Sequence, residues 1–342
     1  MKVQLKKISS QVMVITGATS GIGLTTARAA AAKGAQLVLA ARDAEALDKL
    51  ADELRAVGVE ALAVPTDVGS RAEVEALGKA AIGRFGRIDT WINNAGVSIF
   101  GRLADVPLAD QEQLFQTNFW GVVHGSLVAQ ELMKKKGGAI INLGSELSDV
   151  SVPLQGMYSA SKHAVKGFTD ALRMEAEKDG HPLSVTLIKP AGIDTMFIPH
   201  ARNYMKNEPE LPAPLYAPEV VADAILFAAE HPQRDIFVGG ASKLFSTQGH
   251  VMPRMLDKVM NLLMFKQQQK DQPSLPGRTD ALYQPNGTEL QQRQGGHASQ
   301  IHETSAYTYL TTRGKPLALS LLVGGALFAA WKMSAPATAK QQ

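Results

Sequence analysis

The chain reads as an α/β protein built on one doubly wound parallel sheet of about seven strands, with helices on both faces. Three observations predict this. Short apolar, β-branched runs alternate with longer helical stretches from Val12 to Val238. The first run leads straight into a glycine-rich turn and then an alanine-rich helix. Several runs end in small or polar residues, where an open parallel sheet presents its chemistry.

Val12 to Thr16 is the first strand. Gly17-Ala-Thr-Ser-Gly21-Ile-Gly23 follows, and Leu24 to Lys33 is helical in character. Glycines let the backbone turn tightly and let a ligand approach, and a helix N-terminus offers N–H groups to a phosphate. Gly17, Thr19, Ser20, Gly21, Ile22 and Gly23 are therefore candidate ligands of a dinucleotide, and a Rossmann-like fold is expected. Gln36 to Ala40 is the second strand. About 20 residues past the glycine turn such a fold reads the adenosine ribose. Ala41 and Arg42 stand there; an acid suits a free 2′-hydroxyl and an arginine a 2′-phosphate, so NADP(H) is expected over NAD(H). Asp43 either pairs with Arg42 or caps the next helix, Ala44 to Val57.

Ala61 to Pro65 is the third strand. Asp67, followed by Val68, either contacts the adenine or caps a helix over Arg71 to Gly83. Ile88 to Ile92 is the fourth strand. Asn93-Asn94-Ala95-Gly96 after it either passes close to a ribose or ties neighbouring strands together. Gln111 to Gln130 reads as one long helix, with Asn118 inside it. A mid-helix Asn has an amide to satisfy, so Asn118 is a candidate for a kink, a water site or a proton relay.

Ala139 to Ser145 is a buried strand that ends in a hydroxyl. Tyr158 and Lys162 lie one helical turn apart, and the spacing from Ala164 to Glu177 continues the helix. A phenol titrates near ~10 when unperturbed, and a neighbouring ammonium lowers that value. Tyr158 is thus a candidate acid or base, and Ser145 a candidate donor to a substrate oxygen. Ser184 to Ile188 is the sixth strand, closed by Lys189 to Thr195. Met196 to Pro218 has no clear periodicity, and a loop of that length is often a lid. Glu219 to Glu230 is a helix and Asp235 to Val238 the seventh strand.

Composition narrows the alternatives. The 342 residues are 45% hydrophobic and 20% charged, with a formal charge of +3, which is ordinary for a globular protein. No basic block interleaved with aromatics supports nucleic-acid binding. The absence of cysteine excludes disulfides and thiolate metal sites. The eight histidines show no metal-ligand spacing. The first ten residues do not resemble a signal peptide.

Residues from about 10 to 245 resemble the short-chain dehydrogenase/reductase family in its compact form. The resemblance rests on Thr16-Gly-Ala-Thr-Ser-Gly-Ile-Gly23, Asn93-Asn-Ala-Gly96, Asn118, Ser145, Tyr158-Ser-Ala-Ser-Lys162 and Pro190-Ala-Gly192, in the family's order. It implies hydride transfer between NADP(H) and a carbonyl or alcohol, with Tyr158 as general acid or base. Lys162 would lower the Tyr158 pKa and bind the nicotinamide ribose, and Ser145 would hold the substrate oxygen. Asn118 would hold a water linking Lys162 to solvent. Asn94, Ala95 and Gly96 match the ribose-side segment, Pro190 and Gly192 the turn beside the nicotinamide, and Ile193 and Thr195 the positions that hold its carboxamide. Pro190-Ala-Gly192 departs slightly from the commoner Pro-Gly. The family also implies a homodimer or homotetramer. The alternative is a non-catalytic, membrane-tethered NADP(H)-binding sensor or scaffold.

The residues divide into a catalytic unit over 1–245, an amphipathic helix over 246–265, a flexible linker over 266–312 and a candidate C-terminal membrane anchor over 313–342. The linker reading rests on its Gln, Pro, Gly, Ser and Thr content. The anchor reading rests on the uncharged run from Pro316 to Trp331. At 1.5 Å per residue that run spans about 24 Å, short of the ~30 Å hydrocarbon core. An anchored enzyme with its catalytic domain in the cytoplasm would act on a lipophilic substrate.

Overall fold

A computed structural model describes residues 3–287, 289–294 and 301–313. Seven strands form the central sheet: β1 (Val12–Thr16), β2 (Gln36–Ala41), β3 (Ala61–Pro65), β4 (Thr90–Asn93), β5 (Gly138–Leu143), β6 (Leu183–Pro190) and β7 (Asp235–Val238). Their order is β7-β6-β5-β4-β1-β2-β3, and every pairing is parallel. The order reverses between β1 and β4, which is where such a sheet opens a crevice for a ligand.

The period of two along each strand explains why both faces are covered. Met13 and Ile15 of β1 and Leu37 and Leu39 of β2 face one core. It is completed by α1 (Gly21–Ala32), α2 (Ala44–Ala56) and the helix Pro218–Glu230. Val12, Val14, Val38 and Ala40 face the other core, against α3 (Arg71–Phe85), α5 (Gly121–Met133) and α6 (Gly156–Lys178).

The expected long helix from Gln111 is interrupted. α4 (Leu108–Phe115) runs into a π turn at Gln116–Trp120 before α5 begins. Asn118 lies in that turn, and π turns recur at functional sites. The expected single helix over 246–265 is two, Gly240–Val251 and Pro253–Gln267. The break falls at Pro253, which has no N–H to continue the first helix. Met260 and Met264 of the second helix bury against Leu147, Val150 and Val152.

The described part of 266–312 departs from the linker reading. Gln269–Pro273 pairs with Asn207–Pro209, Ile301–His302 pairs with Leu215–Tyr216, and Ala306–Arg313 is helical. Specific anchors hold it: Leu282 is fully buried, and Arg202–Asp280, Arg278–Glu208 and Arg293–Glu219 are ion pairs. Composition averages over a segment and carries no record of such distant partners. The 196–218 loop is pinned by these contacts rather than free. Residues 314–342, including the candidate anchor, lie outside the described residues; among those described, no helix is long and apolar enough to cross a membrane.

A buried polar chain links the sheet to α6. Trp91 Nε1 donates to Asn93 Oδ1 at 2.8 Å, Asn93 Nδ2 donates to Asn142 Oδ1 at 2.8 Å, and Asn142 Nδ2 donates to Thr169 Oγ1 at 2.9 Å. Removing one member strands its partners without water. Asn142→Ala is expected to lower unfolding free energy by about 1–3 kcal/mol in urea denaturation. A loss under about 0.5 kcal/mol, the range of ordinary surface substitutions, would show that the chain is not structurally important.

Candidate active site

The ends of β1, β4, β5 and β6 converge on two cavities that meet at Gly96. One, of about 450 Å³, is walled by Gly17, Thr19, Ser20, Arg42, Asp67, Val68, Ala95 and Gly96. The other, of about 380 Å³, is walled by Ile22, Asn94, Gly96, Ser145, Tyr158, Lys162, Pro190, Gly192, Ile193 and Thr195. Most of the residues picked out by sequence therefore share one continuous space. Gly21, Gly23 and Asn118 line neither cavity.

The glycine turn is required by close packing. A Cβ on Gly23 would sit 2.0 Å from the Gly17 carbonyl oxygen. Gly17 has φ +65°, and a Cβ there would lie 2.9 Å from Ala95 Cα. Asn94 holds this turn, donating from Nδ2 to the carbonyls of Thr16 at 2.9 Å and Gly17 at 3.1 Å. Asn93 ties strands, as the structural alternative expected. Asp43 caps α2 by accepting from Ala46 N, and Ser70, not Asp67, caps α3. Asp67 is left on the cavity wall with Oδ1 accepting from Gly69 N at 2.9 Å. A glycine turn with no room for Cβ atoms, the N-terminus of α1 and an adjoining cavity fit a dinucleotide.

Ser145 lies two residues past the end of β5 and N-caps a short turn, accepting from Leu147 N at 3.1 Å. That bond occupies an Oγ lone pair and leaves the O–H available to donate. Tyr158 lies beside it on the first turns of α6, with the Phe197 ring edge-on at 5.3 Å. Lys162 is 5% exposed and donates to the Leu143 carbonyl at 2.7 Å. Its Nζ stands 5.6 Å from the Tyr158 ring centroid.

These contacts bear on two expectations. In this chain Tyr158 is pushed above its ordinary value, because burial dominates; the Ser145 hydroxyl opposes the shift and Glu146 adds to it. Lys162 bonds to Leu143 rather than the phenol, and burial pulls it down to about 8. The Asn118 side chain accepts from the Val97 N–H at 2.8 Å and donates to the Val97 carbonyl at 2.9 Å and the Ser161 hydroxyl at 3.3 Å. It clamps the segment after Gly96 and ties it to α6.

Sequence reading missed two polar residues on the second cavity. Glu146 follows Ser145 with no ion-pair partner among the described residues, and burial raises its carboxyl to about 7. Gln155 is 4% exposed, and its Nε2 has no hydrogen-bond partner among the described residues. The position of Glu146 directly after a strand-end serine was the available signal. Nothing in the sequence distinguished Gln155.

The short chain dehydrogenase family profile matches residues 11–205. An uncharacterized oxidoreductase of Bacillus subtilis, YxnA, is 44% identical over 327 residues, covering 95% of this chain and 91% of its own. A short-chain dehydrogenase/reductase from Burkholderia phymatum, solved in complex with NAD, matches with TM-score 0.66 at 29% identity over 79% of this chain and 100% of that one. An alcohol dehydrogenase from Thermococcus sibiricus, complexed with 5-hydroxy-NADP, matches with TM-score 0.59 at 28% identity over 66% of this chain and 95% of that one. The chain belongs to the short-chain dehydrogenase/reductase family. It is an oxidoreductase of the nicotinamide-dependent kind.

Glu146 makes stability depend on pH. Its folded value of about 7 lies above the ordinary 4.5. The associated stability is therefore present below the ordinary value and is lost as pH rises through the folded one. The thermal midpoint is expected to fall between about pH 4.5 and 7, and Glu146→Gln should flatten that fall. An unchanged pH profile in the variant would place the titration elsewhere.

Proposed function

We propose that this enzyme interconverts a carbonyl and an alcohol on an apolar substrate, using NADP(H) in preference to NAD(H). One observation carries the reading: the Ser145 and Tyr158 hydroxyls share a wall of a cavity whose other walls include Leu244, Phe245, Met260 and Met264. Two adjacent hydroxyls suit one substrate oxygen, and the apolar walls suit a hydrocarbon body. Bound in the adjoining cavity, the dinucleotide supplies or accepts the hydride.

The chain's own residues handle the oxygen and its proton. Ser145 donates to the substrate oxygen with its free O–H. Tyr158 donates its phenolic proton to that oxygen in reduction and takes it back in oxidation. Burial keeps the phenol protonated at neutral pH, which suits the acid role. Lys162 places a cation against the Tyr158 ring and supports the phenolate as the proton leaves. Glu146 and Gln155 give the apolar cavity two polar points that would orient a second oxygen or nitrogen on the substrate.

Arg42 supports the NADP(H) preference. Its terminal nitrogens donate to the carbonyls of Ala281, Leu282 and Tyr283. Those three bonds leave two of the five guanidinium N–H donors for a 2′-phosphate. No observation favours the sensor alternative.

The reading is tested by NADPH and NADH oxidation against carbonyls of increasing apolar size. Turnover should rise with apolar size, and Tyr158→Phe should lose about a hundredfold or more while still binding dinucleotide. Near-normal turnover in that variant would remove Tyr158 from the acid role. Arg42→Ala should lower the ratio of NADPH to NADH affinity by about tenfold, the scale of one lost charge-assisted hydrogen bond. An unchanged ratio would end the 2′-phosphate assignment.

A further inference from the structure

The cavity that fits the adenosine half of a dinucleotide is not walled by the catalytic unit alone. Pro285, Asn286, Gly287, Glu289 and Gln291 of the extension line it across from Gly17, Ser20 and Asp67. The extension is fastened on both sides of this wall. On one side Leu282 is fully buried among Val97, Ile99, Val106 and Leu114. Tyr283 Oη donates to Asp110 Oδ1 at 2.8 Å, and Arg42 holds the three carbonyls of 281–283. On the other side the Gln291 carbonyl accepts from Gly21 N at 3.0 Å. Gln292 Nε2 donates to Thr25 Oγ1 at 3.2 Å. The wall is also bonded to the 196–218 loop, with Ala281 N donating to the His200 carbonyl at 2.9 Å and Asn286 Nδ2 to that of Pro199 at 3.3 Å.

We propose that residues 281–287 and 289–292 are part of the dinucleotide site, forming the outer wall of its adenosine half. Arg42 is the positioning residue that sets that wall. The inference rests on reading the cavity as a dinucleotide site. Three features distinguish it from a chance contact. The wall is continuous with the cavity lining. Its attachments include one fully buried apolar side chain. One attachment falls on the first N–H of α1, at the glycine turn itself.

A wall made from the chain's own extension has a kinetic consequence. A ligand that touches the seated strap favours the closed state, in which the strap is seated. Unseating the strap reduces the closed fraction and weakens apparent affinity by that fraction. Both dinucleotides are affected alike, which separates this role of Arg42 from 2′-phosphate recognition.

The test uses the full chain. Amide hydrogen exchange across 281–294 is measured with and without saturating NADPH, and again with NADH. NADPH dissociation is then timed by displacement from wild type and from Leu282→Asp, whose carboxylate cannot remain in the apolar seat. Exchange is expected to slow on binding, and release from Leu282→Asp to be at least about tenfold faster, the scale of losing one buried contact. Binding to wild type with unchanged or faster exchange over 281–294 overturns the strap while leaving the cofactor reading intact. Failure of wild type to bind either dinucleotide overturns the cofactor reading and the strap with it. The exchange measurement on wild type keeps the inference falsifiable should Leu282→Asp not fold.

Discussion

Asn93 ends β4 and is 3% exposed, with the Trp91 indole, the Ser126 hydroxyl and Asn142 of β5 all bonded to its amide. Asn142 in turn binds Thr169 on α6. No member has water to fall back on, so each fixes the next. The chain sets how α6 lies against the sheet, and α6 carries Tyr158 and Lys162. A buried polar network of this kind favours a single arrangement, because every slipped register leaves donors unpaired. Gly125 belongs to the same constraint: a Cβ there would lie 2.0 Å from Asn93 Oδ1. The small residues of α5 are shaped by the network as much as by the helix.

Within that frame the site is a balance between burial and charge. Three groups on one cavity are displaced in the direction of their neutral forms: Tyr158 and Glu146 upward, Lys162 downward. The common cause is desolvation, which penalises whichever form carries charge. The cavity is apolar enough to accept a hydrocarbon and polar at the few points where an oxygen must be held. Ser145 shows how local structure serves this. By capping the turn that follows it, its hydroxyl is oriented with the proton pointing away from the backbone N–H it accepts.

The extension adds a wall to the cavity beside the glycine turn. Arg42 stands where a reader of the ribose is expected, yet three of its donors go to main-chain carbonyls of a segment some 240 residues away, the separation recorded for its bond to Leu282. That arrangement couples the glycine turn, the 196–218 loop and the extension into one cover. The B. subtilis relative aligns over 95% of this chain, so the likeness runs well past the catalytic unit.

The sequence by itself determined the parallel sheet and the strand-end residues that line part of both cavities. Alternating periodicities write the strands and helices directly, and the glycine turn, Ser145, Tyr158 and Lys162 are local motifs whose spacing is readable without coordinates. Only the tertiary structure decided which neighbour each group meets. It gave Asn118 to Val97, Lys162 to the Leu143 carbonyl and Asp43 to its own helix. Among the described residues it left Gln155 Nε2 unpartnered and brought 281–287 and 289–292 across the cavity walled by Gly17 and Arg42. Hydrogen-bond partners far apart in the chain follow from packing, and burial, which moves Tyr158 opposite to the direction its lysine neighbour suggested, is a property of the folded surroundings rather than of any short stretch.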